Sequence, residues 1–412
     1  MGEGTDGSMP VVTGDKTTSV STPEASPCVL AAWTSGKWLP LEADEADEAE
    51  AALAADRKRK VSQALAAVVS ADQSMTLFGL GPSAGVGGPS MSDLWRAVRD
   101  HDPKLFEEMK TQVGDSTSDG EVGDIEELLS RCQLAASSPI TPAPKVKTFI
   151  ESAEKIIADM CRKFVSTSDL EDHAHLVRLL ARRPPDKSRA RVFTTNYDLC
   201  IEQAAAQSGV LLIDGFGREM PPVFDGTNFD LDFVRRRPEA RAPEYLAGVL
   251  HLVKIHGSVD WAAENGQIVR RESPAAPIII YPRRDKFELS YRQPFLETIS
   301  QLQMCLRQPN LGVLVAGFGF SDAHLSEMLF SAVRKNLSLK LVVATRGCEY
   351  HCDPLQKTYR PALERLARLA SRGDSRITLI DCDFGTLTRL VPDVGTETEE
   401  DRIKTLIRSL TS

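Results

Sequence analysis

The fold is indicated by the stretch VFTTNYD at residues 192–198. Two β-prone apolar residues followed by two threonines are typical of the end of a buried strand. The strand ends at Asn196, which tolerates turn geometry, and Asp198 can cap a helix that follows over residues 199–204. An asparagine at the carboxyl end of a strand stands where open α/β sheets bind their ligands. Taken alone, the position is explained equally well by a simple turn.

The composition of the chain indicates the broad class of protein to which it belongs. It has 412 residues, of which 42% are hydrophobic and 26% charged, as in a globular protein with a sizeable core. A formal charge of −9 argues against non-specific binding of nucleic acid across the surface. No uninterrupted apolar run reaches the roughly 18 residues that span a bilayer, and the first residues lack a secretory signal. We therefore expect a cytoplasmic protein without a membrane partner and without direct nucleic-acid binding.

The eight cysteines are scattered, and this spacing predicts reduced thiols. One close pair, Cys348 and Cys352 with His351 between them, lacks a second pair at the spacing of a zinc site. No metal is therefore expected.

The first 45 residues predict a disordered tail that contains a short apolar segment. Residues 1–26 carry scarcely any apolar side chains. The apolar segment around Trp33 and Trp38 can dock on the core of its own chain or on another subunit. We expect residues 46–412 to form one domain with a helical insertion at about 96–190, where apolar residues recur at helical spacing.

A glycine-rich loop follows the strand predicted at residues 75–78. Gly79, Gly81 and Ala84 fit the spacing of the dinucleotide-binding fingerprint, and a helix is predicted from about Ser92. Free backbone N–H groups in such a loop, together with a helix N-terminus, bind a pyrophosphate. A rigid structural turn explains the loop equally well.

Further predicted strands also end in polar or glycine-rich breaks. The strand at 250–255 runs into His256, and the strand at 312–316 runs into the loop 317–322. Apolar strands separated by helices predict an α/β fold, a Rossmann-like parallel sheet with helices on both faces. In such a sheet these breaks gather at one edge with Asn196 and the loop 79–90. His256 is expected to face the resulting crevice, where an imidazole suits general-base catalysis.

Together these segments resemble the sirtuin-like domain of bacterial antiphage NADases. The resemblance covers about residues 70–385 and rests on Thr195-Asn196-Tyr197-Asp198, the segment KIHGSVDW at 254–261, the loop 317–322, and Gly79, Gly81 and Ser83. Leu80, Pro82 and Gly88 depart from the usual first loop. Deacylase sirtuins generally carry a zinc module of two cysteine pairs, which this chain lacks, and this argues against deacylation.

The resemblance implies an NAD⁺ hydrolase (an NAD⁺ nucleosidase) that cleaves the nicotinamide–ribose bond and depletes NAD⁺ in antiviral defence. Asn196 would position water or a ribose hydroxyl and His256 would accept a proton, whereas Asp198 would orient the site or merely cap its helix. The remaining residues implied to bind NAD⁺ are Ser83 with the backbone of Gly79 and Gly81 at the phosphates, and Gly317, Gly319 and Ser321 beside the adenosine. Asp322 is either a helix cap or a ligand.

Two alternatives stay open. One is a non-catalytic module that senses NAD⁺ or ADP-ribose and regulates a partner ATPase or nuclease. The other, ranked last, is an NAD-dependent protein deacylase. The resemblance also implies a homo-oligomer and a complex with a DNA-translocating ATPase, for which the Trp33 and Trp38 segment is a candidate contact.

Overall fold

The computed structural model describes residues 30–394, apart from 35, 44–46, 116, 118–121, 137–143, 185–186, 237, 239–242, 280–292 and 357. The disorder expected for residues 1–26 therefore concerns residues outside these ranges. Within them, no helix combines the length and the apolar character needed to cross a bilayer.

The chain alternates between strands and helices. The strands are β1 (Ala31–Thr34), β2 (Lys37–Pro40), β3 (Gln73–Phe78), β4 (Arg191–Thr194), β5 (Leu211–Ile213), β6 (Val234–Arg235), β7 (Glu244–Tyr245), β8 (Val249–Lys254), β9 (Gly257–Ser258), β10 (Trp261–Glu264), β11 (Gln267–Arg270), β12 (Ile278–Ile279), β13 (Leu311–Ala316), β14 (Lys340–Ala344) and β15 (Ile377–Asp381). The helices are α1 (Glu48–Val69), α2 (Leu80–Gly85), α3 (Met91–His101), α4 (Pro103–Gln112), α5 (Ile125–Ala136), α6 (Pro144–Lys163), α7 (Glu171–Ala181), α8 (Cys200–Ser208), α9 (Phe295–Leu306), α10 (Ala323–Lys335), α11 (Cys348–Cys352), α12 (Pro361–Ser371) and α13 (Phe384–Leu390). Two short 3-10 helices lie at Val165–Thr167 and Gly226–Asp230.

A nine-stranded sheet in the described part of the chain has the order β2-β1-β15-β14-β13-β3-β4-β8-β5. All pairs from β15 to β5 are parallel, and the β1–β2 hairpin adds two antiparallel strands at one edge. The long strands β8 and β13 near the middle are buried along their whole length because both of their faces are covered. The predicted α/β class with a parallel sheet is confirmed.

Helices cover both faces of this sheet. Alternate residues of β13 divide between two cores, with Leu314 and Ala316 in one cluster and Val313 and Val315 in the other. The first cluster contains residues of α1, α7, α8 and α13, and the second contains residues of α9, α10 and α12. This sandwich fixes the position of every strand end at the site.

The helices α3–α6 form a third core of their own, which includes Trp95, Phe106 and Leu128. Tyr197 and Val259 from the sheet side join the same cluster. The sequence predicts a helical insertion at about 96–190, but α7 packs on α8 and belongs to the sheet core. The separate helical core therefore consists of the helices α3–α6, and it contacts the turn that follows β4.

The segment with Trp33 and Trp38 forms the β1–β2 hairpin. The two indole rings meet edge to face at a centroid distance of 5.4 Å. The Trp33 indole N–H donates to the Ala367 carbonyl in α12 at 3.1 Å. Of the two docking alternatives, the structure has this segment packed on its own chain.

Candidate functional site

The strands β13, β3, β4 and β8 are neighbours in the sheet, so their carboxyl ends and the loops that follow lie side by side. These loops border a cavity of about 1020 Å³. The predicted site residues that line it are Gly81, Ser83, Asn196, Asp198, His256, Gly317, Gly319, Ser321 and Asp322. Gly79 is not among the lining residues.

A chain of hydrogen bonds joins the first loop to the turn after β4. The Asn196 side-chain amide donates to the Ser83 hydroxyl at 2.7 Å, and that hydroxyl donates to the Asp198 carboxylate at 2.6 Å. The other Asp198 oxygen accepts from the Cys200 backbone N–H at 3.0 Å, in the first turn of α8. Asp198 therefore accepts the N–H of the first residue of α8 and also orients Ser83, which in turn fixes the Asn196 side chain.

The side chain of Lys254, the last residue of β8, binds the backbone of this turn. Its buried ammonium donates to the Asp198 carbonyl and, at 2.9 Å, to the Glu202 carboxylate. Burial opposes the charge, but Glu202, Asp260 and Asp198 outweigh it and raise the pKa of Lys254. The charged lysine thus fastens the backbone of the turn to the sheet. The sequence analysis gave Lys254 no role, although a lysine near the end of a predicted apolar strand is an unusual position that could have indicated one.

His256 lies just beyond β8 and is 9% exposed. Its Nε2 atom is 3.3 Å from Oδ2 of Asp322. The other oxygen of Asp322 accepts from the Leu325 N–H at 3.1 Å and so caps α10. Burial raises the pKa of Asp322, but the hydrogen bond and charge of His256 outweigh it, and the pKa is lowered overall. Asp322 is therefore both a cap and a partner of the imidazole.

The glycines of the two loops are packed against each other. The N–H groups of Gly79 and Gly81 donate to the carbonyls of Ala316 and Gly317, at 3.1 and 2.9 Å. A Cβ on Gly81 would stand 2.6 Å from the Cα of Gly317, which itself has a φ of +60°. Gly79 and Gly81 are therefore needed because the two backbones approach too closely for a side chain. The two N–H groups assigned to phosphate by the sequence already have carbonyl partners.

The loop 79–90 also differs from the predicted one in its secondary structure. It contains the six-residue helix α2, and the longer helix α3 begins at Met91 with Ser90 as its cap. Gly319 and Ser321, which the resemblance implies to lie beside the adenosine, line the cavity, and the position of a Cβ on Gly319 is open space.

Glu126 is a site residue that sequence reasoning missed. It lies in the first turn of α5, lines the cavity and accepts a hydrogen bond from the Tyr197 hydroxyl at 2.7 Å. Burial raises its pKa to about 7. Nothing in the local sequence distinguishes Glu126 from Glu127 beside it, so only packing identifies it.

A second cavity of about 840 Å³ adjoins the first. It lies between α5 and the N-terminal parts of α10 and α12. Glu126, Asp322 and Arg360 line both cavities. The wall between them therefore carries Asp322, whose carboxylate contacts His256.

Comparison with protein families finds one match: residues 190–359 match the SIR2-like domain. This range includes Asn196, His256 and the loop 317–322, but not the loop 79–90. This part of the chain is thus similar to a SIR2-like domain. No curated protein matches the sequence.

The solved structures that are similar to this chain include Sir2 proteins of low sequence identity. A structure described as the basis for the mechanism and regulation of Sir2 enzymes is 12% identical, with a TM-score of 0.37 over 81% of this chain and 97% of that chain. A Sir2 homologue in complex with NAD is also 12% identical, with a TM-score of 0.37 over 85% and 94%. A Sir2 protein bound to a propionylated peptide is 13% identical, with a TM-score of 0.34 over 78% and 93%.

Proposed function

We propose that this chain is an NAD⁺ hydrolase that cleaves the nicotinamide–ribose bond. The observation that carries the proposal is that Asn196 and His256, from the adjacent strands β4 and β8, line one cavity at the carboxyl edge of a parallel sheet. The match to the SIR2-like domain covers both residues, and one solved Sir2 homologue is described as an NAD complex.

The cavity suits a dinucleotide in size and in lining. Its volume of about 1020 Å³ is at the upper end for ligand sites. The nicotinamide ribose is assigned to Asn196 and His256, and the adenosine to Gly319 and Ser321. Ser83 lies between the glycine loop and Asn196, so its hydroxyl is the proposed contact for the phosphates or the adjoining ribose.

The proposed reaction breaks the bond between the ribose C1′ and the nicotinamide nitrogen, and the electron pair leaves with neutral nicotinamide. A water oxygen forms the new bond to C1′ and gives up one proton, so the products are ADP-ribose, nicotinamide and a proton. Asn196 orients the water, and the His256 imidazole takes the proton. Asp322, whose Oδ2 atom is 3.3 Å from Nε2, holds the ring in place.

The test is nicotinamide release by purified protein. Asn196→Ala and His256→Ala are each expected to lower kcat by at least about 100-fold, because each removes a group that acts on the attacking water. Asn228→Ala and His175→Ala, at residues that do not line the cavity, serve as controls and should keep the wild-type rate. Unchanged turnover in both site variants would overturn the assignment.

A second candidate is a module that binds NAD⁺ or ADP-ribose without turnover and regulates a partner ATPase or nuclease. The bonded N–H groups of Gly79 and Gly81 favour it, because they leave the first loop unlike an open phosphate-binding loop. Calorimetric binding of NAD⁺ without nicotinamide release would select this function. Deacylation ranks last and requires nicotinamide release that depends on an acetylated peptide.

The biological setting stays a prediction of the resemblance. It comprises antiviral defence, a cytoplasmic location, a homo-oligomer and a complex with a DNA-translocating ATPase. Sedimentation of the purified chain, alone and with the product of a neighbouring gene, measures the last two. A stable monomer with full NAD⁺ hydrolase activity would contradict the need for assembly.

A further inference from the structure

The helical core contributes a carboxyl group to the site on the sheet. Glu126 stands in the first turn of α5, in the wall shared by the two cavities. Its Oε1 atom accepts the hydrogen bond of the Tyr197 hydroxyl at 2.7 Å, although the two residues are 71 positions apart. The contact therefore depends on how the helices α3–α6 sit against the sheet edge.

Tyr197 connects this carboxyl group to the proposed reaction centre. It stands between Asn196 and Asp198 in the turn after β4, and its side chain packs in the core of α3–α6. Its carbonyl accepts from the Val259 N–H at 3.0 Å, which ties the turn to the segment after His256. Any change in the Glu126–Tyr197 bond is thus transmitted to the backbone that carries Asn196.

The charges around Glu126 come from several elements. Asp124 precedes α5, His256 follows β8, and Asp322 caps α10 with His324 beside it. Arg360, before α12, lines the same wall. Burial is the largest influence on Glu126 and raises its pKa to about 7, so the carboxyl group changes its charge in the neutral range.

We infer that Glu126 is a further positioning residue of the proposed NAD⁺-cleaving site, which holds the Asn196 turn through Tyr197 and places a negative charge beside the ribose. This inference rests on the proposed function. Positive charge develops on the ribose as nicotinamide leaves, and a carboxylate on the cavity wall stabilises that charge more than it stabilises bound NAD⁺. The ionised form of Glu126 is the active one.

The role predicts an effect on kcat with little effect on KM. At pH 8, Glu126→Gln is expected to lower kcat about 10- to 100-fold, since it removes the charge and keeps the shape. KM should change less than about threefold, because the lost interaction is made mainly in the transition state. Tyr197→Phe, which keeps the carboxyl group, should lower kcat by a smaller factor.

The pH profile separates this role from a purely structural one. Below pH 6 the wild-type Glu126 is protonated and resembles glutamine, so the ratio of the two kcat values should approach one. The matched control is Glu127→Gln, which alters the neighbouring residue of α5 that pairs with Arg131 and lines only the second cavity. It should keep both the rate and the pH profile.

The experiment is nicotinamide release by the full chain between pH 5.5 and 9, with unfolding temperatures to show that each variant is folded. A folded Glu126→Gln variant with a wild-type kcat at pH 8, or with a pH-independent loss, would overturn the inference while the proposed function stands. Absence of nicotinamide release by the wild type would overturn the proposed function, and the inference with it.

Discussion

The two halves of the sheet edge are built in different ways. In the turn after β4 the contacts are made by side chains: Asn196 and Asp198 both bond to Ser83 of the first loop, and the buried Lys254 of β8 donates to the Asp198 carbonyl. Directly after β3 and β13 the two loops meet through their backbones, where the N–H groups of Gly79 and Gly81 donate to the carbonyls of Ala316 and Gly317. Side chains can orient water and move protons, whereas the packed glycines bring two loops into contact and set the shape of the cavity floor.

This difference limits what the glycine motif indicates about ligand binding. Both halves carry a recognisable sequence pattern, but a pattern of glycines states only that backbones approach closely. The approaching group here is another loop of the same chain, at least for Gly79 and Gly81. Substitutions in the two halves should therefore differ in how they affect unfolding free energy and kcat. The following variants measure this difference, from the largest expected effect on stability to the smallest.

Lys254→Met should destabilise the fold most. The change leaves the Glu202 carboxylate without its buried partner and removes the donor to the Asp198 carbonyl, at a cost of about 3–5 kcal/mol. Urea unfolding measures this cost. Lys58→Met, which breaks the exposed pair with Glu42, is the control and should cost less than about 1 kcal/mol.

Adding Glu202→Gln to Lys254→Met tests whether the unpaired Glu202 carboxylate causes the loss of stability. If the unpaired carboxylate causes most of the loss, the double variant should be more stable than Lys254→Met alone. A loss below about 1 kcal/mol in the single variant would contradict the fastening role of Lys254.

Gly81→Ala should cost about 2–3 kcal/mol, because the new Cβ would stand 2.6 Å from the Gly317 Cα and neither backbone can easily move. Gly85→Ala is the matched control within α2, where a Cβ meets nothing within 4 Å, and it should be neutral or slightly stabilising. Equal unfolding free energies for the two variants would contradict the claim that the backbone contact between Gly81 and Gly317 requires a glycine.

Ser83→Ala should cost about 1–2 kcal/mol in unfolding free energy, because it leaves the Asn196 amide and an Asp198 oxygen without their shared partner. In contrast to Gly81→Ala, its larger effect should fall on catalysis, with kcat reduced about tenfold as Asn196 loses its orientation. Ser166→Ala, at an exposed hydroxyl in the 3-10 helix Val165–Thr167, is the control for both measurements. A variant with wild-type kcat would show that Asn196 is held by other contacts.

Much of the architecture could be read from the sequence because parallel strands have a simple signature. Apolar runs of the length of β3, β4, β8 and β13 predict buried strands, and the break after each of them predicts a common edge. The positions of Asn196 and His256 in one cavity follow from that rule without knowledge of any side-chain contact. The helical spacing between residues 96 and 190 was equally visible, although α7 joins the sheet core rather than the helical one.

Only the tertiary structure decided the partners of these residues. The sequence left Asp198 as either a helix cap or a catalytic residue, and Asp322 as either a helix cap or a ligand. One oxygen of each carboxylate accepts a backbone N–H at the start of a helix, from Cys200 or Leu325, and the other oxygen contacts Ser83 or His256. The role of Glu126 depends on the docking of α3–α6 against Tyr197. The physical reason is that strand and helix patterns are local properties of the chain, whereas hydrogen bonds between distant residues exist only once the cores have packed and fixed their distances.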